Sequence, residues 1–253
     1  MDSLATAALY ARQLWSELPS KATTHAGDEN RKQAAMRVRR VRSIFFALAA
    51  GADDLIEIGA HHAEASVRFV QDHTGRRAFA YEANPAVCAE AAKMHEGKPI
   101  HFFNVALGEQ DGSASFFVPV AEHLKIWASL KQRNIKPVEQ VEITVPMQTL
   151  ETAMAQAGAG RSAIWIDVEG AQLEIFRAGK DFLETSVDAI YVELYDKKMF
   201  ENSATSIEVL AFLIDRGFVP VARDNQFPNA YNLVAVHRRV YLDRLPEIMA
   251  FMA

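Results

Sequence analysis

The spacing of hydrophobic and polar residues changes at about residue 53. Before this point, apolar residues recur at helical intervals over 3–18 and 29–50, which predicts two helices joined by a polar loop. After it, short apolar runs alternate with amphipathic stretches, a pattern typical of strands followed by helices. We therefore predict a helical extension over 1–50, one α/β domain over 51–240 and a C-terminal helix over 241–253.

The runs that predict strands are mostly apolar, without polar alternation. They cover 55–58, 78–82, 100–106, 113–118, 141–145, 163–168, 187–194, 218–222 and 232–236. Helices are predicted over 61–73, 149–157, 171–178 and 206–216, and another opens at Asn84 and Pro85. Buried strands of this kind form a mostly parallel sheet covered by helices on both faces. The pattern predicts a Rossmann-like α/β fold whose last two strands form an antiparallel edge.

Composition narrows the classes of function. The 27 basic and 32 acidic residues give a net charge of −5, so no basic field favours nucleic acid as a partner. The longest apolar run, 44–52, is far shorter than the ~20 residues that span a bilayer, so we expect no membrane partner. The only cysteine, Cys88, falls within a predicted helix and reads as a core residue, which fits a reducing, cytoplasmic location.

The second predicted helix carries a cluster of basic residues. They are Arg31, Lys32, Arg37, Arg39, Arg40 and Arg42. Such a cluster is usual for a solvated helix face, but it also suits contact with an acidic substrate or a partner chain. Its spacing does not distinguish these interpretations, and these helices could also pack on a second copy in a homo-oligomer.

The first chemical signal is the segment Glu57–Ala63. An acidic residue ends a strand, Gly59 makes a tight turn, and a helix follows, so backbone N–H groups can face an anionic ligand. The later glycine positions of a dinucleotide-binding motif are taken by His61 and Ala63. The segment therefore disfavours a dinucleotide site.

The second signal is Glu82, which lies 25 positions after Glu57 at the end of the next predicted strand. An acidic residue at this offset can accept hydrogen bonds from both ribose hydroxyls of a nucleoside. The alternative is a surface glutamate at a strand end. Together, Glu57 and Glu82 favour a nucleoside cofactor.

The third signal is a set of carboxylates at the ends of later strands. Asp167 and Glu169 follow a buried strand, and Glu193 ends the next one. At this edge of a sheet they can orient a cofactor amine, hold a cation or accept a substrate proton. The alternative for Asp167 and Glu169 is that one of them caps the following helix.

These residues, taken in order, resemble the FkbM-type branch of class I S-adenosylmethionine-dependent methyltransferases. The resemblance covers about 53–237. It rests on Glu57-Ile-Gly-Ala, Tyr81-Glu-Ala-Asn-Pro85, Asn104-Val-Ala-Leu-Gly108, Leu150-Glu151, Ile166-Asp-Val-Glu-Gly-Ala171 and Tyr191-Val-Glu193. It implies a seven-stranded sheet that binds S-adenosylmethionine, with S-adenosylhomocysteine as product and the hydroxyl oxygen of a sugar, polyketide or other secondary metabolite as methyl acceptor.

The resemblance also implies a set of cofactor-binding residues. Glu82 would hold the ribose, the residues from Asn104 to Leu107 would lie by the adenine, and Asp167 and Glu169 would face the donor or the acceptor. The full set expected at the donor is Glu57, Gly59, Ala60, His61, Glu82, Ala83, Asn104, Val105, Ala106, Leu107 and Asp167.

One departure from the family pattern concerns His61-His62-Ala63, where Asn-x-Gly is usual. The bulkier His61 is expected to alter the donor pocket. His62 is a candidate general base, although a capping or exposed histidine is the simpler interpretation. The catalytic candidates are Asp167, Glu169, Glu193 and His62. A further acceptor-side wall is expected from the irregular segment that contains His123, Lys125, Trp127 and Ser129.

Three alternatives remain open at this point. An NAD-dependent oxidoreductase or epimerase is disfavoured by the missing glycines and by the lack of a Tyr-x-x-x-Lys pair. A non-catalytic protein that keeps the fold for partner binding is the second. The third concerns a divalent cation, which the acids could hold, but no tight ligand spacing demands one and no metal ligand is assigned.

Overall fold

The computed structural model describes residues 28–72, 75–121, 127–134, 139–224 and 229–252. The helix predicted over 3–18 and the candidates His123 and Lys125 lie outside the described residues. The chain divides into two compact units that interleave in sequence. One contains 1–51, 188–197 and 205–253, and the other contains 52–187 and 198–204.

The strands form one large and one small sheet. They are β1 (Asp54–Ile58), β2 (Arg77–Tyr81), β3 (Ile100–Phe103), β4 (Ala106–Leu107), β5 (Gly112–Pro119), β6 (Gln140–Gln148), β7 (Ser162–Ile166), β8 (Val187–Tyr195), β9 (Phe218–Arg223) and β10 (Ala230–His237). The order in the large sheet is β3-β2-β1-β7-β8-β10-β9, and in the small sheet β4-β6-β5. The predicted seven-stranded, mostly parallel sheet is confirmed.

In the unit 52–187, β1 is flanked by parallel strands on both sides. Glu57 is paired in register with Ala80 of β2 and Trp165 of β7. Every residue of β1 and β7 is buried, as expected for strands covered on both faces. The carboxyl ends of β1, β2 and β7 therefore meet at the same edge of this unit.

The strand predicted over 100–106 is wrong as a single element. It ends at Phe103, and β4 then joins a different sheet, parallel to β6. Between the two strands, the Asn104 amide donates to the carbonyl oxygens of Glu82 and Ala83, each at 2.9 Å. These bonds fix the chain in a turn, because both amide hydrogens of Asn104 are directed back to the end of β2.

The helices of this unit are Glu64–Asp72, Pro85–Met94, Leu150–Ala157, Gln172–Arg177 and Lys180–Ser186. The predicted cap is confirmed at Asn84, whose side chain accepts from the N–H of Ala86, with Pro85 at the first helical position. Cys88 lies buried in this helix, as predicted. The helix expected from 61 begins only at Glu64, because His61 and Ala63 have φ of 45° and 58°, which an α-helix does not accommodate.

The other unit contains β8, β10 and β9, which pair antiparallel and confirm the predicted edge. Its helices are Asp28–Leu48, Ser206–Asp215, Arg238–Tyr241 and Leu245–Met252, with a short 3₁₀ turn at Ala49–Gly51. Phe45 of the first helix packs edge-on against Tyr191 of β8, with ring centroids 5.9 Å apart. Among the described residues, no helix has the length and apolar character that a bilayer crossing requires.

Candidate functional site

The unit 52–187 contains a cavity at the carboxyl ends of β1, β2 and β7. It comprises about 680 Å³ of empty space and opens to solvent. The candidate residues that line it are Gly59, His61, Glu82, Ala83, Val105, Ala106, Leu107, Asp167 and Glu169. Four candidates of the same unit are absent from this lining, namely Glu57, Ala60, His62 and Asn104.

The turn after β1 forms the floor of the cavity. The N–H groups of Gly59 and Ala60 both donate to the carbonyl oxygen of Tyr81 at 3.0 Å, which joins this turn to the end of β2. Gly59 has a φ of 74°, and a Cβ there would overlap the carbonyl oxygen of Asp167. The position therefore requires glycine both for its backbone conformation and for the close approach of two strands.

Glu82 lies at the end of β2, nearly buried, with its carboxylate at the cavity. Oε2 accepts the backbone N–H of His61 at 2.8 Å, and Oε1 accepts that of Asn84 at 2.7 Å. Burial raises the pKa of Glu82, and the two N–H groups oppose this by stabilising the charged form. Each carboxylate oxygen retains capacity to accept a further hydrogen bond from a ligand.

Glu57 occupies a different place from the one expected. Its carboxylate turns away from the cavity and accepts the N–H groups of Ala65 and Ser66 at 3.2 and 2.7 Å, at the start of the following helix. Complete burial raises its pKa to about 7, although these hydrogen bonds act in the opposite direction. Glu57 thus holds the helix that starts at Glu64 against β1. This placement gives no support to the expected contact between Glu57 and the methyl donor.

The two histidines differ in their placement. His61 lines the cavity, while His62 lies outside it with its carbonyl oxygen bonded to Nε2 of His95 at 2.9 Å. Their rings stack with centroids 4.1 Å apart. Burial first, and then the charge of His62, lower the pKa of His61, which favours the neutral imidazole.

The segment Asp167–Gly170, here called the acidic loop, follows β7, lies against the turn after β1 and contributes Asp167, Val168 and Glu169 to the cavity lining. It is held on one side by a hydrogen bond from the N–H of Asp167 to the carbonyl oxygen of Ile58 at 3.0 Å. Gly170 has a φ of 93°, and a Cβ there would lie 2.8 Å from the Phe200 ring. The helix after the loop begins at Ala171 without a side-chain cap, so the interpretation of Asp167 or Glu169 as its cap is wrong.

Glu193 belongs to the other unit and is not part of the cavity surface described above. It lies near the end of β8, in register with Asn232 of β10. The hydroxyl of Tyr195, two residues further along the same strand, donates to its carboxylate. Within its own unit, Glu193 is therefore a half-buried carboxylate held by a phenol.

The cavity lining is of mixed character. Its lining includes the polar residues Glu82, His61, Asp167 and Glu169 and the apolar residues Val87, Val105, Leu107, Phe116, Ala128 and Leu130. Phe116 belongs to the small sheet and packs in one buried cluster with Ala83 and Ala106. Such a surface can receive a ligand with a flat apolar part, a hydroxylated part and a cationic part.

Sequence reasoning missed Phe116, Leu130 and Ala128 as cavity residues. Their positions come from the pairing of β5 with β6 and from an isolated bridge between Phe117 and Ser129, and no local motif signals either. Ser129, which the sequence places in the expected acceptor-side wall, lines the cavity. Among the described residues, no group of three or more His, Cys, Asp or Glu side chains is arranged to hold a metal ion.

Comparison with known proteins gives a match to the Methyltransferase FkbM domain over residues 57–220, more than half of the chain. A curated relative, the 2-O-methyltransferase NoeI of Sinorhizobium fredii (strain NBRC 101917 / NGR234), is 25% identical over 171 residues, which are 63% of this chain and 70% of that protein.

Two solved structures are among those that the chain matches. Magnesium protoporphyrin IX methyltransferase from Synechocystis PCC 6803, with bound S-adenosylmethionine, is 10% identical, with a TM-score of 0.45 over 94% of this chain and 98% of that chain. The N-terminal domain of EvdMO1, in the presence of S-adenosylhomocysteine and D-fucose, is 13% identical, with a TM-score of 0.45 over 94% of this chain and 97% of that chain.

Proposed function

Because this chain belongs to the FkbM methyltransferase family and is an S-adenosylmethionine-dependent methyltransferase, we propose that it methylates a hydroxyl oxygen of a small molecule. The acceptor class is a sugar or another hydroxylated secondary metabolite. Support for an oxygen acceptor comes from the relative NoeI, whose name is that of a 2-O-methyltransferase.

The residues of the cavity fit the methyl donor in one orientation. The carboxylate of Glu82 can accept hydrogen bonds from the ribose hydroxyls, because Glu82 lines the cavity and each of its oxygens has acceptor capacity left. The apolar part, with Phe116 and Leu107, suits the adenine. The acidic loop suits the ammonium and sulfonium groups, since unlike charges attract. When bound, the donor supplies an electrophilic methyl group on sulfur.

The protein's own part in the reaction is to position the acceptor oxygen and take its proton. Asp167 and Glu169 are candidates for this role because both line the cavity. His61 is a third candidate, since a neutral imidazole at the cavity surface can accept a proton. Glu193 stays a fourth candidate from the sequence, and within its own unit it is bonded to the hydroxyl of Tyr195. His62 is less suitable, because it does not line the cavity.

The observation that carries the proposal is the buried carboxylate of Glu82, fixed by two backbone N–H groups at the wall of the cavity. The test is calorimetric titration of S-adenosylmethionine and S-adenosylhomocysteine into the wild type, Glu82→Ala and Glu142→Ala. Glu142 is an exposed glutamate on β6 and serves as the matched control. We expect binding that is weakened at least about 100-fold by Glu82→Ala, as for loss of a charged hydrogen-bonding partner, and unchanged in the control.

Acceptor chemistry is tested by methyl transfer from a labelled donor to a panel of sugars, each paired with its deoxy analogue. Methylation of a sugar but not of the analogue that lacks one hydroxyl would identify the acceptor oxygen. Donor binding without transfer to any hydroxylated acceptor, together with transfer to an amine or carboxylate, would contradict the proposal of O-methylation.

We also propose a cytoplasmic location, since the chain's only cysteine is a buried thiol.

A further inference from the structure

Residues 127–134, here called the cover segment, contribute to the cavity wall. Ala128, Ser129 and Leu130 line the cavity. Two backbone hydrogen bonds join Ser129 to Phe117 of β5. The N–H of Phe117 donates to the carbonyl oxygen of Ser129 at 2.8 Å, and the N–H of Ser129 donates to that of Phe117 at 3.1 Å. The small sheet therefore fixes this part of the cover segment through backbone atoms alone.

The far part of the cover segment is anchored by side chains. Lys131 forms a salt bridge with Glu174 at 2.6 Å and donates to the carbonyl oxygen of Asn202 at 2.9 Å. The guanidinium of Arg133 lies over the Trp127 ring at 4.4 Å and near the Phe200 ring at 5.4 Å. These contacts hold the cover segment in place without Ser129's hydroxyl.

The Ser129 side chain makes a different connection. Its hydroxyl donates to the carbonyl oxygen of Glu169 at 2.6 Å and accepts the N–H of Lys131 at 2.9 Å. Ser129 is only 3% exposed, so water does not readily replace these bonds. This hydroxyl directly ties the cover segment to the acidic loop.

We propose that Ser129 is a positioning residue, whose hydroxyl sets the acidic loop for the cationic amino-acid part of the donor. The inference rests on the proposed function, in which Glu82 and the apolar wall receive the adenosine part. Removing the hydroxyl frees the Glu169 carbonyl and lets the loop shift, while the Phe117 bridge keeps Ala128 and Leu130 in place. Affinity is therefore lost for the amino-acid part of the ligand and kept for the adenosine part.

The experiment compares two ligands by calorimetric titration. S-adenosylhomocysteine carries the amino-acid part, and 5′-methylthioadenosine lacks it. We expect Ser129→Ala to weaken S-adenosylhomocysteine binding about tenfold and to leave 5′-methylthioadenosine within about twofold of wild type. A general loss of structure would weaken both ligands, so the split between them separates positioning from folding.

Two further variants complete the test. Ser129→Cys replaces the hydroxyl with a larger thiol, which is a weak hydrogen-bond donor and leaves no empty space at the site. We expect the same difference between the two ligands in this variant. Ser162→Ala is the matched control: Ser162 is fully buried, bonded to the carbonyl oxygen of Gly160 at 2.9 Å, and lies at the opposite end of β7. It should leave both affinities unchanged.

Equal affinity of Ser129→Ala and wild type for S-adenosylhomocysteine would overturn the inference, and so would equal weakening of both ligands in Ser129→Cys. Failure of the wild type to bind either ligand would overturn the proposed function, and the inference with it. The two failures are distinguishable, because the first leaves wild-type binding intact.

Discussion

The backbone N–H of His61 donates to Oε2 of Glu82 at 2.8 Å, across 21 positions of sequence. This bond joins the turn after β1 to the end of β2 at the wall of the cavity. It uses a main-chain atom of His61, so the identity of the side chain can change without loss of the contact. His61 has a φ of 45°, in the left-handed region that few non-glycine residues adopt.

We expect His61→Asn to be stabilising by about 0.5 kcal/mol, because asparagine tolerates the left-handed conformation better than histidine does. Donor affinity should stay within about threefold of wild type, since the bond to Glu82 comes from the backbone. Thermal unfolding and titration with S-adenosylmethionine measure the two effects. His61→Val is the contrasting variant: a β-branched residue disfavours positive φ and should lower the melting temperature. A more stable valine variant would contradict this account of the turn.

Gly59→Ala is expected to abolish donor binding or folding, because the new Cβ would overlap the carbonyl oxygen of Asp167. The matched control is Gly97→Ala, where φ is also positive at 82° but no atom lies within 4 Å of the added Cβ. The control should cost only about 1 kcal/mol of conformational strain. Circular dichroism, thermal unfolding and calorimetric titration distinguish the two variants, and equal behaviour would contradict the role assigned to close approach.

Asp54, at the start of β1, is a buried carboxylate whose replacement should be costly. It accepts two hydrogen bonds from Arg77 at 2.9 and 2.8 Å and one from the N–H of Gly160 at 2.9 Å. Asp54→Asn removes the charge and turns an NH₂ group towards these donors, so we expect a loss of about 2–3 kcal/mol in the free energy of unfolding. Urea denaturation measures it, with the exposed neighbour Asp53→Asn as the control. An equal loss of stability in Asp54→Asn and Asp53→Asn would contradict the prediction.

The raised pKa of Glu57 predicts that the stability of the protein depends on pH. Its pKa is raised from 4.5 to about 7 in the folded protein. Between these values the folded state keeps a proton that the unfolded chain releases, so the free energy of unfolding falls as the pH rises through this window. Glu57→Gln has no proton to lose there, and we expect its stability to change less with pH.

Melting temperatures of wild type and Glu57→Gln, taken from pH 4.5 to above pH 7, test this expectation. The curves should converge or cross towards high pH, where the wild type carries a buried charge. Glu96→Gln, at an exposed position, should follow the wild-type curve. Parallel curves for wild type and Glu57→Gln would show that Glu57 titrates normally.

The sequence by itself determined the alternation of strands and helices, because burial on both faces requires unbroken apolar runs such as those of β1 and β7. It also determined local features such as the cap at Asn84. It placed Gly59, Glu82 and Asp167 at one edge, since residues that follow parallel strands share that edge.

The tertiary structure alone decided which of these side chains face the cavity. Glu57 and Glu82 both lie at strand ends, but one carboxylate meets the N–H groups of a helix and the other lies at the cavity wall. Their different directions follow from positive φ angles and helix positions that no spacing rule encodes. The walls supplied by Phe116 and Ser129 depend on strand pairing between distant segments, because register is set by long-range contacts rather than by local sequence.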